Sequence, residues 1–305
     1  MTKKQLLTII TTLAMCFACH SCIIQIKKPK TSENEIEQTD FYPIPPLVPK
    51  NLTFAGEEVK LDREDKIERL DRELMSFTYN QMSTLLVLRR AGKIFPRIEP
   101  ILRAHGVPDD LKYLAVIESS LNPGAASRAG AVGLWQFMPV TANEYGLEIS
   151  PYVDERYNIE LETEAACEYL KKAHRRFGNW MTAAASYNAG MGGIGRQLDR
   201  QLAENAMDLW LVEETSRYMF RLLSAKMLFD NPPSFGFRFE ETDRYPYRLP
   251  KIRLSVDYPI SDLATFAKEN DCPYVALRRA NLWIRSDALP NPTRKKYTII
   301  IPADE

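Results

Sequence analysis

Glu118 ends an almost wholly apolar run, residues 111–117, whose pattern predicts a buried helix. The charged form of a carboxylate in the last turn of such a helix is disfavoured by the loss of water and by the negative end of the helix dipole. Both effects raise the pKa of the carboxyl group. A carboxylic acid that keeps its proton at neutral pH is the group needed to protonate the leaving oxygen of a glycosidic bond. The sequence therefore predicts a general acid at residue 118.

Two further motifs follow Glu118 along the chain. Residues 133–139 read Gly-Leu-Trp-Gln-Phe-Met-Pro, and residues 186–190 read Ser-Tyr-Asn-Ala-Gly. Together with the pair Glu118-Ser119, they resemble the three successive motifs of the lytic murein transglycosylases of glycoside hydrolase family 23, in their membrane-bound D-type subgroup. The resemblance implies cleavage of the β-1,4 bond between N-acetylmuramic acid and N-acetylglucosamine in peptidoglycan. It also implies that no water is added, so that a 1,6-anhydro ring is left on the muramic acid.

The resemblance assigns roles to residues around the expected catalytic residue, Glu118. It implies six substrate-binding residues: Ser119, Ser127, Gln136, Met138, Tyr187 and Asn188. We expect Tyr187 to donate a hydrogen bond to the Glu118 carboxylate after proton transfer. The amides of Gln136 and Asn188 are suited to the N-acetyl and hydroxyl groups of a sugar. Ser127, in a polar loop, is also typical of an ordinary turn.

Most glycosidases need two carboxylates that face the scissile bond, and the sequence offers no second candidate. Asp109 and Asp110 lie at the other end of the Glu118 helix, roughly 12 to 13 Å away at about 1.5 Å per residue. Other acidic residues near the motifs fit helix ends or surface pairs: Glu144, Asp154 and Glu155. A single acid suffices if the substrate supplies the nucleophile through its own N-acetyl group and C6 hydroxyl. Neither a metal nor a cofactor is implied.

Two other functions are consistent with the same residues. A muramidase would use the same acid but let water attack, which yields a reducing end. A non-catalytic protein that binds the cell wall would keep the fold without the chemistry. The mass of the reaction product and the effect of replacing Glu118 distinguish these readings from the first.

The start of the chain is typical of an export signal. Lys3 and Lys4 precede an apolar stretch that is too short to span a bilayer, so residues 1–18 are expected to be removed. Ala18 before Cys19 resembles a bacterial lipobox, and we expect Cys19 to carry the lipid, with Cys22 as the alternative. Ordinary secretion with cleavage nearby is the other interpretation. A lipidated protein would face the periplasm from a membrane, with the outer membrane favoured.

The charge balance bears on the partners. The 305 residues include 40 basic and 40 acidic side chains, so there is no electrostatic reason to expect nucleic acid binding. The expected partners are peptidoglycan glycan strands and, through the lipid, the membrane. Cys167 lies on the apolar face of a predicted helix, where a free buried thiol is typical. A disulfide with Cys272 has no support in the sequence.

The remaining residues divide into four segments. Residues 19–55 are predicted to form the lipidated start and a proline-rich tether, and residues 56–95 a helical segment that packs on the catalytic domain. Residues 96–235 form the catalytic domain, and residues 236–305 a connector and a C-terminal unit. Helical periodicity covers residues 62–90, a helix from Pro96 to Gly106, a helix from Pro108 that stops at residues 122–124, and residues 162–177, 180–187 and 213–229. This pattern predicts a mainly α, lysozyme-like domain.

The C-terminal unit has a different character. Residues 252–256 and 297–301 read as strands, and residues 261–270 and 273–280 as two short helices between them. This βααβ order, with Asp262, Leu277 and Asn281, resembles a degenerate LysM module that lacks the glycine usually found before its Asp-Thr-Leu. The sequence leaves open whether the unit binds glycan, packs against the catalytic domain or contacts a protein partner.

Overall fold

The structure, a computed structural model, describes residues 44–303. The predicted export signal, the lipidated cysteine and the first part of the tether lie outside the described residues. Within them, the chain is mainly helical up to residue 230 and ends in a small α+β unit, which confirms the predicted fold class.

The main body is built from eight α-helices and one short β-hairpin among the described residues. The hairpin pairs β1 (Leu52–Phe54) with β2 (Glu57–Val59) in antiparallel register, with Leu52 opposite Val59. The helices are α1 (Glu64–Tyr79), α2 (Gln81–Ala104), α3 (Tyr113–Ser119), α4 (Pro139–Glu144), α5 (Ile159–Phe177), α6 (Trp180–Ala189), α7 (Met191–Gln201) and α8 (Glu213–Asp230). Apolar side chains from the hairpin and from all eight helices join one continuous core.

The β-hairpin shortens the predicted tether. Leu52 and Phe54 are buried in the core, and the backbone N–H of Ala55 donates to Asp110 Oδ2 at 2.8 Å. The side chain of Glu57 accepts a hydrogen bond from the Trp180 N–H at 2.9 Å. The main body therefore begins by residue 52 rather than near residue 56. Burial of the Leu52 and Phe54 side chains stabilises the folded hairpin, and this free energy would be lost if the segment were a solvated tether.

Helix α2 corrects the prediction that a new helix starts near Pro96. It runs without interruption through Pro96 and Pro100, and the break lies instead at Asn80, between α1 and α2. Each proline removes one backbone hydrogen bond, but both prolines are on the solvent-exposed face. Water can therefore satisfy the freed carbonyl groups. Buried Phe95, Ile98 and Leu102 hold the opposite face on the core.

The helix that carries Glu118 is shorter than the sequence predicts. A 3₁₀ turn, Asp109–Lys112, follows Pro108, and the α-helix itself spans only Tyr113–Ser119. It ends because Ser120 and Leu121 both adopt left-handed backbone conformations, with φ of 53° and 55°. Glu118 thus lies in the last turn, as predicted, and α3 packs on α8.

Helix α7 has no counterpart among the predicted helices. It contains Gly192 and Gly193 in its first turn and Gly195 in its interior, where a glycine costs about 1 kcal/mol relative to alanine. Buried Ile194 and the packing of α7 on α6 compensate for this low propensity.

The C-terminal unit has the predicted βααβ order. Strand β3 (Ile252–Val256) pairs antiparallel with β4 (Tyr297–Ile301), with Leu254 opposite Ile299, and helices α9 (Leu263–Glu269) and α10 (Tyr274–Ala280) lie between them in sequence. The unit has its own small core, which Val153 of the main body joins.

The unit also packs against the main body, one of the roles left open by the sequence. Lys295 Nζ lies 2.9 Å from Glu148 Oε2 and 2.6 Å from Glu155 Oε1. The Tyr297 hydroxyl donates to Glu148 at 2.9 Å, and the Asp154 N–H donates to the Trp283 carbonyl at 2.8 Å. Both cysteines among the described residues, Cys167 and Cys272, are buried, and the thiol of Cys167 is free.

Candidate active site

Glu118, the residue predicted to be the general acid, lies in the last turn of α3 beside helix α8. The side chain is partly buried, and the Tyr218 hydroxyl donates a 2.6 Å hydrogen bond to its Oε1. Desolvation raises the pKa of Glu118 to about 7, and the negative charge of Glu214 acts in the same direction. The Tyr218 hydrogen bond and the positive charge of Arg221 act to lower it. Because the desolvation effect is the largest, a substantial fraction of Glu118 keeps its proton at neutral pH.

Helix α8 supplies these three neighbours of Glu118. Glu214, Tyr218 and Arg221 are spaced by four and three residues, which places them on one face of the helix. Arg221 Nη2 also lies 3.4 Å from the Ile117 carbonyl, beside the acid. Tyr218 is 4% exposed, and burial, followed by the nearby Glu118 charge, holds its pKa well above the usual value. Tyr218 is therefore a neutral hydrogen-bond donor.

Tyr187 does not make the hydrogen bond predicted for it. Its hydroxyl donates to the Trp135 carbonyl at 2.9 Å, while Tyr218 occupies the position next to the acid. Tyr187 is still close enough to Glu118 for that charge, after burial, to raise the pKa of its phenol. Tyr187, in the motif at residues 186–190, is thus hydrogen-bonded to the motif at residues 133–139. The donor to Glu118 comes instead from α8, which lies outside all three motifs.

A buried carboxylate holds the second motif in place. Glu162 of α5 is fully buried and accepts hydrogen bonds from the Leu134 N–H at 3.0 Å and the Trp135 N–H at 3.1 Å. Burial raises the pKa of Glu162 well above the ordinary value. Gly133, with a φ of 89°, lies against this carboxylate, and a Cβ atom there would overlap the Arg156 carbonyl oxygen.

Arg156 provides a second attachment for the same loop. Its guanidinium Nη1 donates to the Gly130 carbonyl at 3.0 Å and to the Phe137 carbonyl at 3.1 Å, while Asp154 pairs with Nη2 at 2.8 Å. Since Arg156 and Asp154 are both buried, the loop over residues 130–137 is fixed by charged groups that have little access to water.

The remaining predicted residues of the second motif and its loop lie in different settings. Gln136 has a left-handed backbone, with φ of 53°, and its side-chain amide donates to the Gly133 carbonyl at 2.8 Å. Met138 is 43% exposed. Ser127 is exposed, and its hydroxyl accepts a hydrogen bond from the Ala131 N–H at 2.9 Å, the arrangement of a turn residue. Met138 and Ser127 are thus accessible to a ligand, whereas the Gln136 side-chain amide is already hydrogen-bonded within the loop.

Ser119 and Asn188 are both engaged with the protein. The Ser119 hydroxyl is buried and donates to the Ala115 carbonyl at 3.1 Å, so it is turned into its own helix. This geometry argues against the predicted sugar contact. Asn188 accepts a hydrogen bond from the Thr215 hydroxyl at 2.7 Å, and its Nδ2 lies 3.5 Å from Glu214 Oε1. Asn188 therefore joins the third motif to the face of α8 that surrounds Glu118.

Two family matches cover separate parts of the chain. Residues 98–209 match the transglycosylase SLT domain, and residues 252–305 match the soluble lytic transglycosylase C-terminal LysM-like domain. All three motifs lie within the first match, which confirms the family resemblance drawn from them. The second match confirms the LysM-like character of the C-terminal unit.

Several known proteins are similar in sequence. Membrane-bound lytic murein transglycosylase D of Escherichia coli strain K12 is 27% identical over 190 residues, which are 61% of this chain and 42% of that protein. A putative tributyltin chloride resistance protein of Alteromonas sp. strain M-1 is 37% identical over 93 residues, 30% of this chain and 45% of the relative. The peptidoglycan transglycosylase gp16 of Escherichia phage T7 is 37% identical over 39% of this chain and 9% of that protein. The chain spans less than half the length of each of these relatives.

Two solved structures are similar to part of this chain. The 70 kDa soluble lytic transglycosylase from Escherichia coli aligns with a TM-score of 0.41 at 20% identity, over 62% of this chain and 34% of that one. An inactive mutant of lytic transglycosylase Slt from Pseudomonas aeruginosa aligns with a TM-score of 0.36 at 20% identity, over 50% of this chain and 26% of that one.

Proposed function

We propose that this chain is a lytic transglycosylase of peptidoglycan. Residues 98–209 match a transglycosylase SLT domain, and residues 252–305 match the LysM-like C-terminal domain of the soluble lytic transglycosylases. The chain cleaves the β-1,4 bond between N-acetylmuramic acid and N-acetylglucosamine without adding water. The observation that carries the proposal is the state of Glu118: a carboxyl group with a pKa of about 7 beside one neutral phenol donor.

Glu118 acts twice in the reaction. It first gives its proton to the oxygen of the departing N-acetylglucosamine as the glycosidic bond breaks at C1 of the muramic acid. The N-acetyl group of the muramic acid assists this departure. The C6 hydroxyl of the same sugar then forms the new bond to C1, and its proton passes to Glu118, which restores the acid. A pKa near the working pH suits both roles, because each protonation state is well populated.

Intramolecular attack competes well with water. A well-oriented group within one molecule can reach an effective molarity of roughly 10⁵ M or more. The Tyr218 hydroxyl stabilises the carboxylate of Glu118 between the two proton transfers, since it can donate but has no tendency to ionise. The protein therefore needs to orient the muramic acid relative to Glu118, and a second catalytic carboxylate is not required.

Glu214 is the observation that favours a second candidate, a hydrolytic muramidase. It lies one helical turn before Tyr218 and close enough to Glu118 to affect its pKa. A carboxylate in that place could activate a water molecule, as the second acid of a hydrolase does. Against this reading, Glu214 is solvent-exposed and shares its only hydrogen bond among the described residues with Asn188, at 3.5 Å.

Mass spectrometry of the products of digested, purified sacculi tests the proposal. We expect muropeptides that end in 1,6-anhydro-N-acetylmuramic acid, each lighter by one water than the product of a muramidase. Glu214→Gln should leave this product unchanged. Reducing ends from the unaltered protein, together with their loss in Glu214→Gln, would establish hydrolysis instead. Intact sacculi after incubation would favour a non-catalytic, wall-binding protein.

We also propose that the chain is exported and anchored through a lipid on Cys19, facing the periplasm. The predicted lipobox supports this location, as does the membrane-bound relative from Escherichia coli. Within residues 44–303, none of the helices combines the length and the apolar character that a membrane crossing requires. Labelling cells with a fatty acid analogue should mark the protein, and Cys19→Ala should abolish the label. Loss of the label only in Cys22→Ala would move the anchor to that residue.

A further inference from the structure

A large cationic cavity lies apart from Glu118, where α2, α5, residues 245–250 and the C-terminal unit meet. Its volume is about 630 Å³. We call it the junction cavity. One carboxylate lines it, that of Glu160, whereas six cationic side chains do: Arg90, Lys93, Arg97, Arg248, Arg253 and Arg279. Cationic side chains therefore outnumber carboxylates in the cavity wall, in a chain whose total net charge is zero.

The charges inside the junction cavity are only partly compensated. Arg97 makes two hydrogen bonds to Glu160, of 2.9 and 2.8 Å, which neutralises that pair. Burial acts to raise the pKa of Glu160, but the hydrogen bonds from Arg97 and the charges of Arg97 and Arg253 hold it below the ordinary value. Lys93 and Arg279 form no ion pair with any carboxylate of residues 44–303. The cavity therefore has a positive potential that favours an anionic ligand.

The junction cavity is physically connected to the turn that follows the catalytic acid. Leu121 and Pro123, three and five positions after Glu118, form part of its wall. Arg90 Nη1 donates to the Ser120 carbonyl at 3.0 Å, so one cavity cation touches the residue two positions after Glu118. The cavity wall and Glu118 therefore belong to one continuous turn of the chain, and the peptide of a strand bound at Glu118 is the nearest candidate ligand.

The wall is suited to a peptide with carboxylate groups. Tyr245 and Tyr247 offer aromatic surface, and Lys93 Nζ lies 5.5 Å from the centre of the Tyr245 ring. The Tyr245 N–H donates to the Arg89 carbonyl at 2.9 Å, which fixes this wall to α2. Arginine side chains bind carboxylates with two parallel hydrogen bonds. Several such groups around one space fit a ligand with more than one carboxylate.

We propose that the junction cavity binds the carboxylate groups of the peptide stem carried by the muramic acid of the strand being cut. This inference rests on the proposed function, since stems hang from the sugar whose bond Glu118 would break. Residues from both the catalytic domain and the C-terminal unit contribute cations, so the LysM-like unit takes part in recognising the peptide rather than the glycan alone.

Binding of a free stem tetrapeptide to the full chain with Glu118→Gln tests the site without catalysis. We expect the peptide with free carboxylates to bind about tenfold more tightly than the same peptide with amidated carboxylates. The double variant Lys93→Gln/Arg279→Gln, made in the same background, should lose about tenfold in affinity. Lys93 lies on α2 and Arg279 in the C-terminal unit, so each side of the cavity loses one charge.

The control variant is Arg103→Gln/Lys268→Gln. It removes one exposed cation from α2 and one from the C-terminal unit, but neither lines the junction cavity. We expect its affinity for the peptide to equal that of the parent. Equal binding of the free and amidated peptides, equal loss in the control variant, or tighter binding of an inorganic polyphosphate than of the peptide would each overturn the proposal.

The two proposals can fail separately. If the chain binds the peptide through Lys93 and Arg279 but releases no anhydro product from sacculi, the cavity assignment stands and the proposed reaction falls. If it digests sacculi with the anhydro product and the peptide does not bind, the cavity assignment falls and the reaction stands.

Discussion

The Tyr218 hydroxyl donates a 2.6 Å hydrogen bond to Glu118 Oε1, although the two residues lie a hundred positions apart in the chain. The bond joins the last turn of α3 to the middle of α8, the helix that closes the core. It is the only hydrogen bond to the Glu118 carboxylate from the residues that the structure describes. The protonation of Glu118 therefore depends on the exclusion of water, on this one donor and on the nearby charges of Arg221 and Glu214.

The pH dependence of activity should respond to that donor. Glu118, with a pKa of about 7, must hold a proton to start the reaction, so activity should fall by half near pH 7 and continue to fall at higher pH. The Tyr218 hydrogen bond lowers the pKa of Glu118, so Tyr218→Phe should move the alkaline limb of the pH profile to higher pH. Initial rates on purified sacculi from pH 5 to 9 measure this.

Tyr187→Phe is the matched control for this shift. It removes the same hydroxyl from a tyrosine that bonds to the Trp135 carbonyl instead of the acid. We expect its rate to change but its alkaline limb to stay in place. If the limb shifts in Tyr187→Phe and not in Tyr218→Phe, the assignment of the donor is wrong.

Replacing the acid itself should remove activity without unfolding the protein. Glu118→Gln keeps the shape of the side chain but has no proton to give, and we expect turnover of sacculi to fall by a factor of about 10³ or more. Near-ultraviolet circular dichroism should match that of the unaltered chain. A variant that digests sacculi at the normal rate would remove Glu118 from the mechanism.

The same substitution should change stability in a pH-dependent way. The folded pKa of Glu118, about 7, lies above its ordinary value of 4.5, so the folded state binds the proton more tightly than the unfolded state. The stability contributed by the neutral acid is complete below pH 4.5 and is lost as the pH rises through 7. Above pH 7, Glu118→Gln should therefore be more stable than the parent, by about 3 kcal/mol at most.

Urea unfolding at pH 5 and pH 8 measures this difference. We expect the midpoint of the variant to exceed that of the parent clearly at pH 8 and much less at pH 5. An equal difference at both pH values would mean that burial does not raise the pKa of Glu118.

The close approach at Gly133 should be intolerant of any side chain. A Cβ atom there would overlap the Arg156 carbonyl oxygen and press on Glu162, the carboxylate that holds the second motif. Gly133→Ala should cost about 3 kcal/mol or more and reduce activity, because the loop must move. Thermal unfolding and sacculus digestion report the two effects.

Gly130→Ala provides the control. Gly130 has nearly the same backbone conformation, with φ of 91° against 89° at Gly133, but no atom lies within 4 Å of an added Cβ. The difference between the two variants therefore isolates the steric overlap from the backbone strain. Equal destabilisation of both would show that the loop accommodates a methyl group.

Hydrophobic periodicity predicted most helices because each buries an apolar face. It failed where the position of a helix relative to the core, and not its local sequence, determines whether the helix forms. Pro96 and Pro100 look like a helix start, but they face water inside α2. The glycines of α7 lower its helix propensity, so its sequence does not predict the helix, which is stabilised by packing against α6. Neither effect can be found in a local pattern, since both depend on which face meets the core.

The motifs located Glu118 and the loop beside it, but not the residues that control the acid. Tyr218 belongs to no motif, and its only signal is the four-and-three spacing of Glu214, Tyr218 and Arg221 along one helix. Glu162 is similarly hidden, because an acidic residue in the first turn of a helix is ordinarily explained by the helix dipole. Only the fold brings these side chains to the acid and to the second motif.

Ser120 and Leu121, which end α3 in left-handed conformations, carry a consequence for protein engineering. Each non-glycine residue in that conformation costs roughly 1 kcal/mol. A screen for heat tolerance should therefore select glycine at position 120. The same glycine would make the turn that positions Glu118 more flexible. The selected variant would therefore be more stable to heat but slower in catalysis.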